Sequence, residues 1–204
     1  MAKKKTKVIE SKKENKSSIH YTGKVTVELK KKNKTVNSKV LYNKGTPRLF
    51  EFLALGIAGD YATSNSLRPL YLNIYSTTKT TEDSIDENSD FDNKVNLTKL
   101  SANTLVNVKP VLDENQITIG YSATLKFLIP LISVSIDPHL DHDKQLNLVG
   151  LFNSSEVSEG LPSAYVLVQD NDGVCSIIPD ELFADGVDLN DYILSLNWEM
   201  QFTN

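Results

Sequence analysis

Apolar and polar residues alternate with a period of two along much of this chain. Val25, Val27 and Leu29 are interleaved with Lys24, Thr26 and Glu28, which predicts a half-buried strand. Val40, Leu41 and Tyr42 predict its return partner. The clearest run covers 116–127. Ile117, Ile119, Tyr121, Ala123, Leu125 and Phe127 fall at odd positions, between Thr118, Gly120, Ser122, Thr124 and Lys126. That spacing directs one face into a core and the other to solvent or an interface. Ile132, Val134 and Ile136 extend the pattern past Pro130, which is expected at a bulge or edge. Leu194, Leu196, Trp198, Met200 and Phe202 predict a long last strand. Shorter apolar runs at 70–75, 105–111, 146–152 and 164–168 predict further strands, and Asp172-Gly173 predicts a tight hairpin.

One segment changes period. Thr46 can cap a helix, Pro47 suits its first position, and Leu49, Phe50, Leu53 and Ile57 recur at helical spacing. Gly59 offers a left-handed stop, and Gly56 inside the helix allows a neighbouring backbone to approach. Eight to ten strands with one helix predict a mainly β fold. The expected form is a β-sandwich or jelly-roll-like domain over 19–204, with one short α-helix at about 47–58. An acidic connection at about 77–93 lies inside that domain. Residues 1–18 have no hydrophobic period and are expected to form a disordered basic arm.

Composition agrees with strands and turns, since Ser, Thr and Asn supply 52 of 204 residues. The single cysteine, Cys175, excludes a disulfide framework and a thiolate metal cage. No stretch reaches the roughly 20 apolar residues of a membrane helix. The N-terminal lysines lack the apolar core of a secretion signal, so that export route is not expected.

Charge is unevenly placed. Residues 1–44 carry 14 lysines and three acids, a balance of +11. Residues 45–204 carry eight basic residues and 23 acids, a balance of −15. Such polarity bears on partners rather than on fold. Lys3, Lys4, Lys5, Lys7, Lys12 and Lys13 in the arm, with Lys30, Lys31, Lys32 and Lys34 at a predicted hairpin turn, are candidate contacts for nucleic acid or an acidic neighbour. The plain alternative is a solvated tail and an exposed turn. No aromatic residue is interleaved with these lysines, which speaks against sequence-specific nucleic-acid reading.

Glu82, Asp83, Asp86, Glu87, Asp90 and Asp92 form a candidate acidic contact loop. Asp86, Asn88, Asp90 and Asp92 share part of a calcium-loop spacing but lack its glycine and distant glutamate. His139, Asp141, His142 and Asp143 form one His/Asp cluster, which a proline-started turn also explains. Cys175 and Trp198 are expected in the core, whereas Tyr61, Tyr71, Tyr75 and Tyr121 are candidates for a contact surface. No Ser/His/Asp elbow, phosphate loop or paired catalytic carboxylate is recognisable. The expectation is a non-enzymatic protein with no catalytic residue, metal or cofactor.

The second half resembles structural modules of tailed-bacteriophage virions, of the collar, ring or fibre-attachment type. The resemblance is carried by 117–127 (ITIGYSATLKF), 148–152 (LVGLF), 164–168 (AYVLV) and 196–202 (LNWEMQF). The segment 43–50 (NKGTPRLF), running into an Ala/Gly-containing helix, resembles the opening of small virion proteins of crAss-like gut phages. Leu148 and Val149 depart from the family pattern, which often places an acid there. No repetitive shaft follows the last strand, so a self-contained collar or ring subunit fits better than a fibre. The resemblance implies an oligomeric ring or collar component of the tail or neck, in contact with identical subunits, other virion proteins and packaged DNA, and not with a membrane. It implies a virion location after assembly in the host cytoplasm. It also admits a capsid-surface or head-fibre attachment module that binds a glycan receptor. The charge polarity alone admits a third class, a cytoplasmic DNA-associated accessory protein.

Overall fold

The computed structural model describes residues 19–69, 71–87, 89–91, 100–101, 107–133, 146–153, 161–184 and 186–203. Residues 1–18, with their lysines, lie outside them. So do Asn88, Asp92, Val134, Ile136 and the His139–Asp143 cluster.

Eleven strands form among the described residues. They are β1 (His20–Lys31), β2 (Lys34–Gly45), β3 (Tyr71–Tyr75), β4 (Leu100–Ser101), β5 (Asn107–Leu112), β6 (Thr118–Pro130), β7 (Leu148–Phe152), β8 (Ala164–Leu167), β9 (Gln169–Asp170), β10 (Gly173–Val174) and β11 (Tyr192–Thr203). Nine of them make one antiparallel sheet in the order β4-β3-β7-β8-β2-β1-β11-β6-β5, curled into a half-barrel. The fold is mainly β, as the alternation predicts.

The chain passes between the two parts of the sheet along β2. Its residues Lys34–Asn43 pair with β1, and only Lys44 and Gly45 pair with β8. The curl sets the inner faces of β1, β2, β6 and β11 against those of β3, β7 and β8. Trp198, Phe127, Ile129, Leu196, Val149 and Val166 fill the space between, each at most 1% exposed. Burial of this apolar surface is the main stabilising term. A second cluster lies apart from this one, where Tyr75, Leu148, Phe152, Tyr165 and Leu167 meet Ile85 and Phe91 of the acidic connection.

The helix forms where predicted. In α1 (Pro47–Ala58), Thr46 accepts a bond from the Arg48 amide at 3.2 Å, and Gly59 closes the helix in the left-handed region at φ 82°. A second helix, α2 (Tyr61–Ser66), follows, which the sequence pattern does not predict. Its six residues carry too few apolar side chains to show a period. Gly56 faces Ser64 of α2 rather than a backbone, and a Cβ there would lie 3.4 Å from the Ser64 hydroxyl.

Two expectations are corrected. The odd-numbered stripe of β6 is core only from Leu125 to Ile129, and Ile117 and Tyr121 are 61% and 58% exposed. Past Pro130 the chain turns into a 3₁₀ segment, Leu131–Ser133, which buries Leu131 and exposes Ile132. Pro130 is the last residue of β6, opposite Ile193 of β11 and beyond the reach of β5, which places it at the strand's end.

Candidate assembly surface

The antiparallel register lines up residues of four strands in rows. Val25, Trp198 and Leu125 form a buried row across β1, β11 and β6. The next row outward is Gly23, Met200, Ala123 and Val108; Met200 is still buried, whereas Val108 is 59% exposed. The last row is Tyr21, Phe202, Tyr121 and Pro110. Core thus gives way to surface along the strands while the side chains stay apolar. The result is an aromatic shelf at one end of a stiff sheet.

Packing fixes the shelf's inner part. The Tyr21 ring lies 5.4 Å from Phe202 and 6.1 Å, edge-on, from Phe50 of α1. The Tyr21 hydroxyl meets the Asn43 side chain. With that amide oriented to suit its neighbours, its nitrogen donates to Tyr21. Its oxygen then accepts from the Lys24 amide and from Trp198 Nε1, each at 3.1 Å. Burial raises the Tyr21 pKa above the ordinary range, against a lowering bond to Trp198. The hydroxyl therefore stays neutral and acts as a positioning group.

The predicted basic contacts do not converge. The arm enters β1 at His20, opposite Thr203 and beside the shelf. The hairpin lysines sit at the far end of this strand, about 36 Å away at roughly 3.3 Å per residue. That turn is the left-handed pair Lys32 and Asn33, at φ 48° and 67°. Its cations are engaged within the chain. Lys30 pairs with Glu28 at 2.9 Å, Lys31 lies over the Tyr192 ring at 5.0 Å, and Lys32 pairs with Asp191 at 3.1 Å. Lys34 is exposed.

The acidic loop is folded onto the sheet rather than presented as a free arm. Glu82 accepts from the Leu167 amide at 3.4 Å, and Asp83 pairs with Lys44 at 3.3 Å. Asp90 accepts from the Asp86 amide at 2.8 Å and from the Thr77 hydroxyl at 3.2 Å. Asp86 accepts from the Ser89 hydroxyl at 3.0 Å. Glu87 is half-buried. Burial raises the Glu82 pKa, opposed by the Leu167 bond. The buried Ile85 and Phe91 explain why this polar stretch is ordered, a signal visible in the sequence as two lone apolar residues among acids.

Sequence reasoning misses one polar cluster. Lys39 Nζ lies 2.8 Å from Cys175 Sγ and 3.2 Å from Asp170 Oδ2. Burial raises the Cys175 pKa although Lys39 lowers it, so the thiol is protonated at neutral pH. A cleft of about 300 Å³ opens beside it, between β2 and 175–181. Cys175 is half-buried at the cleft wall rather than in the core, while Trp198 is fully buried as expected. Of the candidate tyrosines, Tyr61 and Tyr121 are exposed, Tyr71 is half-buried and Tyr75 is buried.

Among the described residues, no three His, Cys, Asp or Glu side chains gather to hold a metal, and no helix is long and apolar enough to cross a membrane. No family model, curated protein or solved structure matches the chain.

Proposed function

We propose that this protein is a non-enzymatic structural subunit that assembles with copies of itself, as a ring or collar component in the tail or neck of a tailed-phage particle. The observation that carries the assembly reading is the aromatic shelf. An apolar surface held stiff by a sheet and left open at Val108 and Tyr121 is a contact surface in waiting. The phage setting rests on the resemblance of 117–127, 148–152, 164–168 and 196–202.

The mechanism is complementary packing. The positive lead, residues 1–18 with seven lysines and two acids, enters beside the shelf, and residues 19–204 behind it carry −9. Head-to-tail packing lets the lead of one copy reach the negative body of the next, with the shelf covered in the same contact. Other virion proteins and packaged DNA are the remaining partners of the lead.

Tyr121→Lys tests this reading, since it places a cation on the shelf while leaving the buried rows intact. Native mass spectrometry of the folded variant is expected to show loss of oligomers that the parent forms. Unchanged oligomers would remove the shelf from the assembly.

A second reading is a surface-attachment module that stacks sugars on exposed tyrosines. It is favoured by Tyr42 and Tyr61, which are 68% and 69% exposed. Binding of the monomer to a glycan array would support it, and a blank array would remove it.

A further inference from the structure

We propose that Cys175 and Lys39 form an oxidative modification site, at which peroxide joins Cys175 Sγ to Lys39 Nζ through a sulfenamide bond. The site stands apart from the assembly reading and needs only one copy of the chain.

Three groups meet beside the cleft between β2 and 175–181. Lys39 Nζ lies 2.8 Å from Cys175 Sγ and 3.2 Å from Asp170 Oδ2. The backbone positions each of them. Lys39 is opposite Val27 in the β1–β2 register, so it sits on the inner side of the sheet, where Val27 and Leu41 are buried. From there its stem lines the cleft and its ammonium ends at the sulfur. The Cys175 amide donates to the Val168 carbonyl at 3.0 Å, which ties the thiol to the chain just after β8. Asp170 Oδ1 accepts from the Asp172 amide at 3.0 Å, which leaves Oδ2 for the lysine.

Cys175 is the single cysteine, so an oxidised sulfur has no second thiol in the chain to resolve it. Lys39 takes that place. In the first step the sulfur attacks hydrogen peroxide. An S–O bond forms, the O–O bond breaks, and the departing hydroxide leaves as water with the thiol proton. The sulfur is oxidised to the sulfenic acid and the peroxide is reduced. In the second step Lys39, having given one proton to Asp170, attacks the sulfur with its nitrogen lone pair. The N–S bond forms and the S–O bond breaks. The departing hydroxide takes a further proton from the nitrogen and leaves as water. One thiol, one amine and one peroxide thus give one sulfenamide and two waters, and Asp170 returns its proton to solvent. The cleft of about 300 Å³ gives a molecule as small as peroxide a way to the half-buried sulfur. The thiol is protonated at neutral pH, so the first step needs a sustained excess of peroxide rather than a trace. The bond joins residues 136 apart in sequence and restricts the unfolded chain as a disulfide does.

Peptide mapping of the peroxide-treated full chain tests the site. No lysine or arginine follows Lys144, so trypsin releases Cys175 on the peptide 145–204. The bond also blocks cleavage after Lys39. Without reductant, the expected product is 35–44 joined to 145–204, lighter than the sum of the two by two hydrogens. Fragmentation sets apart any oxygen gained by Met200, which the same peptide carries. Dithiothreitol is expected to release the two peptides and to restore cleavage at Lys39 on a second digestion. Lys39→Arg keeps the charge and is expected to give no linked product. Asp170→Asn is expected to slow linking about tenfold or more. Conversion of Cys175 to sulfinic acid, or to a disulfide between copies, with cleavage at Lys39 intact, would overturn the proposal. So would a link from Cys175 to a different lysine. The native chain alone decides the bond, so misfolding of either variant leaves the test standing. Linking in a chain that never assembles would keep this site and remove the assembly reading, and assembly without linking would do the reverse.

Discussion

Gly23 and Asn43 face each other across β1 and β2, and the Asn43 amide occupies the space where any other residue at position 23 would put its Cβ. The glycine is thus required by contact, not by backbone conformation. It lets Asn43 lie flat over the strand and hold Tyr21, Lys24 and Trp198 together. This network is the support beneath the aromatic shelf. Gly23→Ala is expected to destabilise the fold by about 2–3 kcal/mol, through the forced overlap and the lost amide bonds. In an Asn43→Ala background the same change is expected to cost less than about 1 kcal/mol, because the overlap is gone. Urea unfolding of the four chains measures both values.

Thr46 joins the helix to the far part of the sheet. Its buried hydroxyl reaches the carbonyl oxygens of Pro162 at 2.5 Å and Ser163 at 3.1 Å, and it accepts from the Arg48 amide. Thr46→Ala removes the cap and leaves buried polar groups unpaired. A loss of about 2 kcal/mol is expected, with Thr46→Ser restoring most of it, again by urea unfolding.

Glu82 makes stability depend on pH in a defined direction. Burial raises its folded pKa, so the folded chain holds this proton more tightly than the unfolded one. Its contribution is therefore fully present below the unfolded value and is lost as pH rises through the raised folded value. Glu82→Gln removes that loss and keeps an acceptor for the Leu167 amide. The variant is expected to match the parent below about pH 4 and to be more stable at pH 7. Unfolding midpoints at the two pH values check the sign.

Much of this was legible in local pattern, and the failures share a cause. The period of two in 194–202 and the cap, proline and glycine at Thr46, Pro47 and Gly59 are local signals, and β11 and α1 form where they lie. Alternation tells which side of a strand a residue faces, but not how far the core runs along it. Tyr121 and Leu125 share one face, yet one is exposed and the other buried. Lys39 and Cys175 are 136 residues apart, so no spacing rule unites them. The lysine groups look like one basic segment in sequence, and the 12-residue length of β1 separates them. The hand-over of β2 from β1 to β8 at Lys44 follows from which strands pair over what length, which no single strand's sequence states.

The central claim is that copies join through opposite charge and a shared apolar shelf. Sedimentation velocity of the full chain across a salt series tests it most directly. The account predicts species larger than 22.7 kDa at low salt, which fall apart as salt is raised and screens the positive lead from the negative body. A single monomeric boundary at every salt and protein concentration would contradict it.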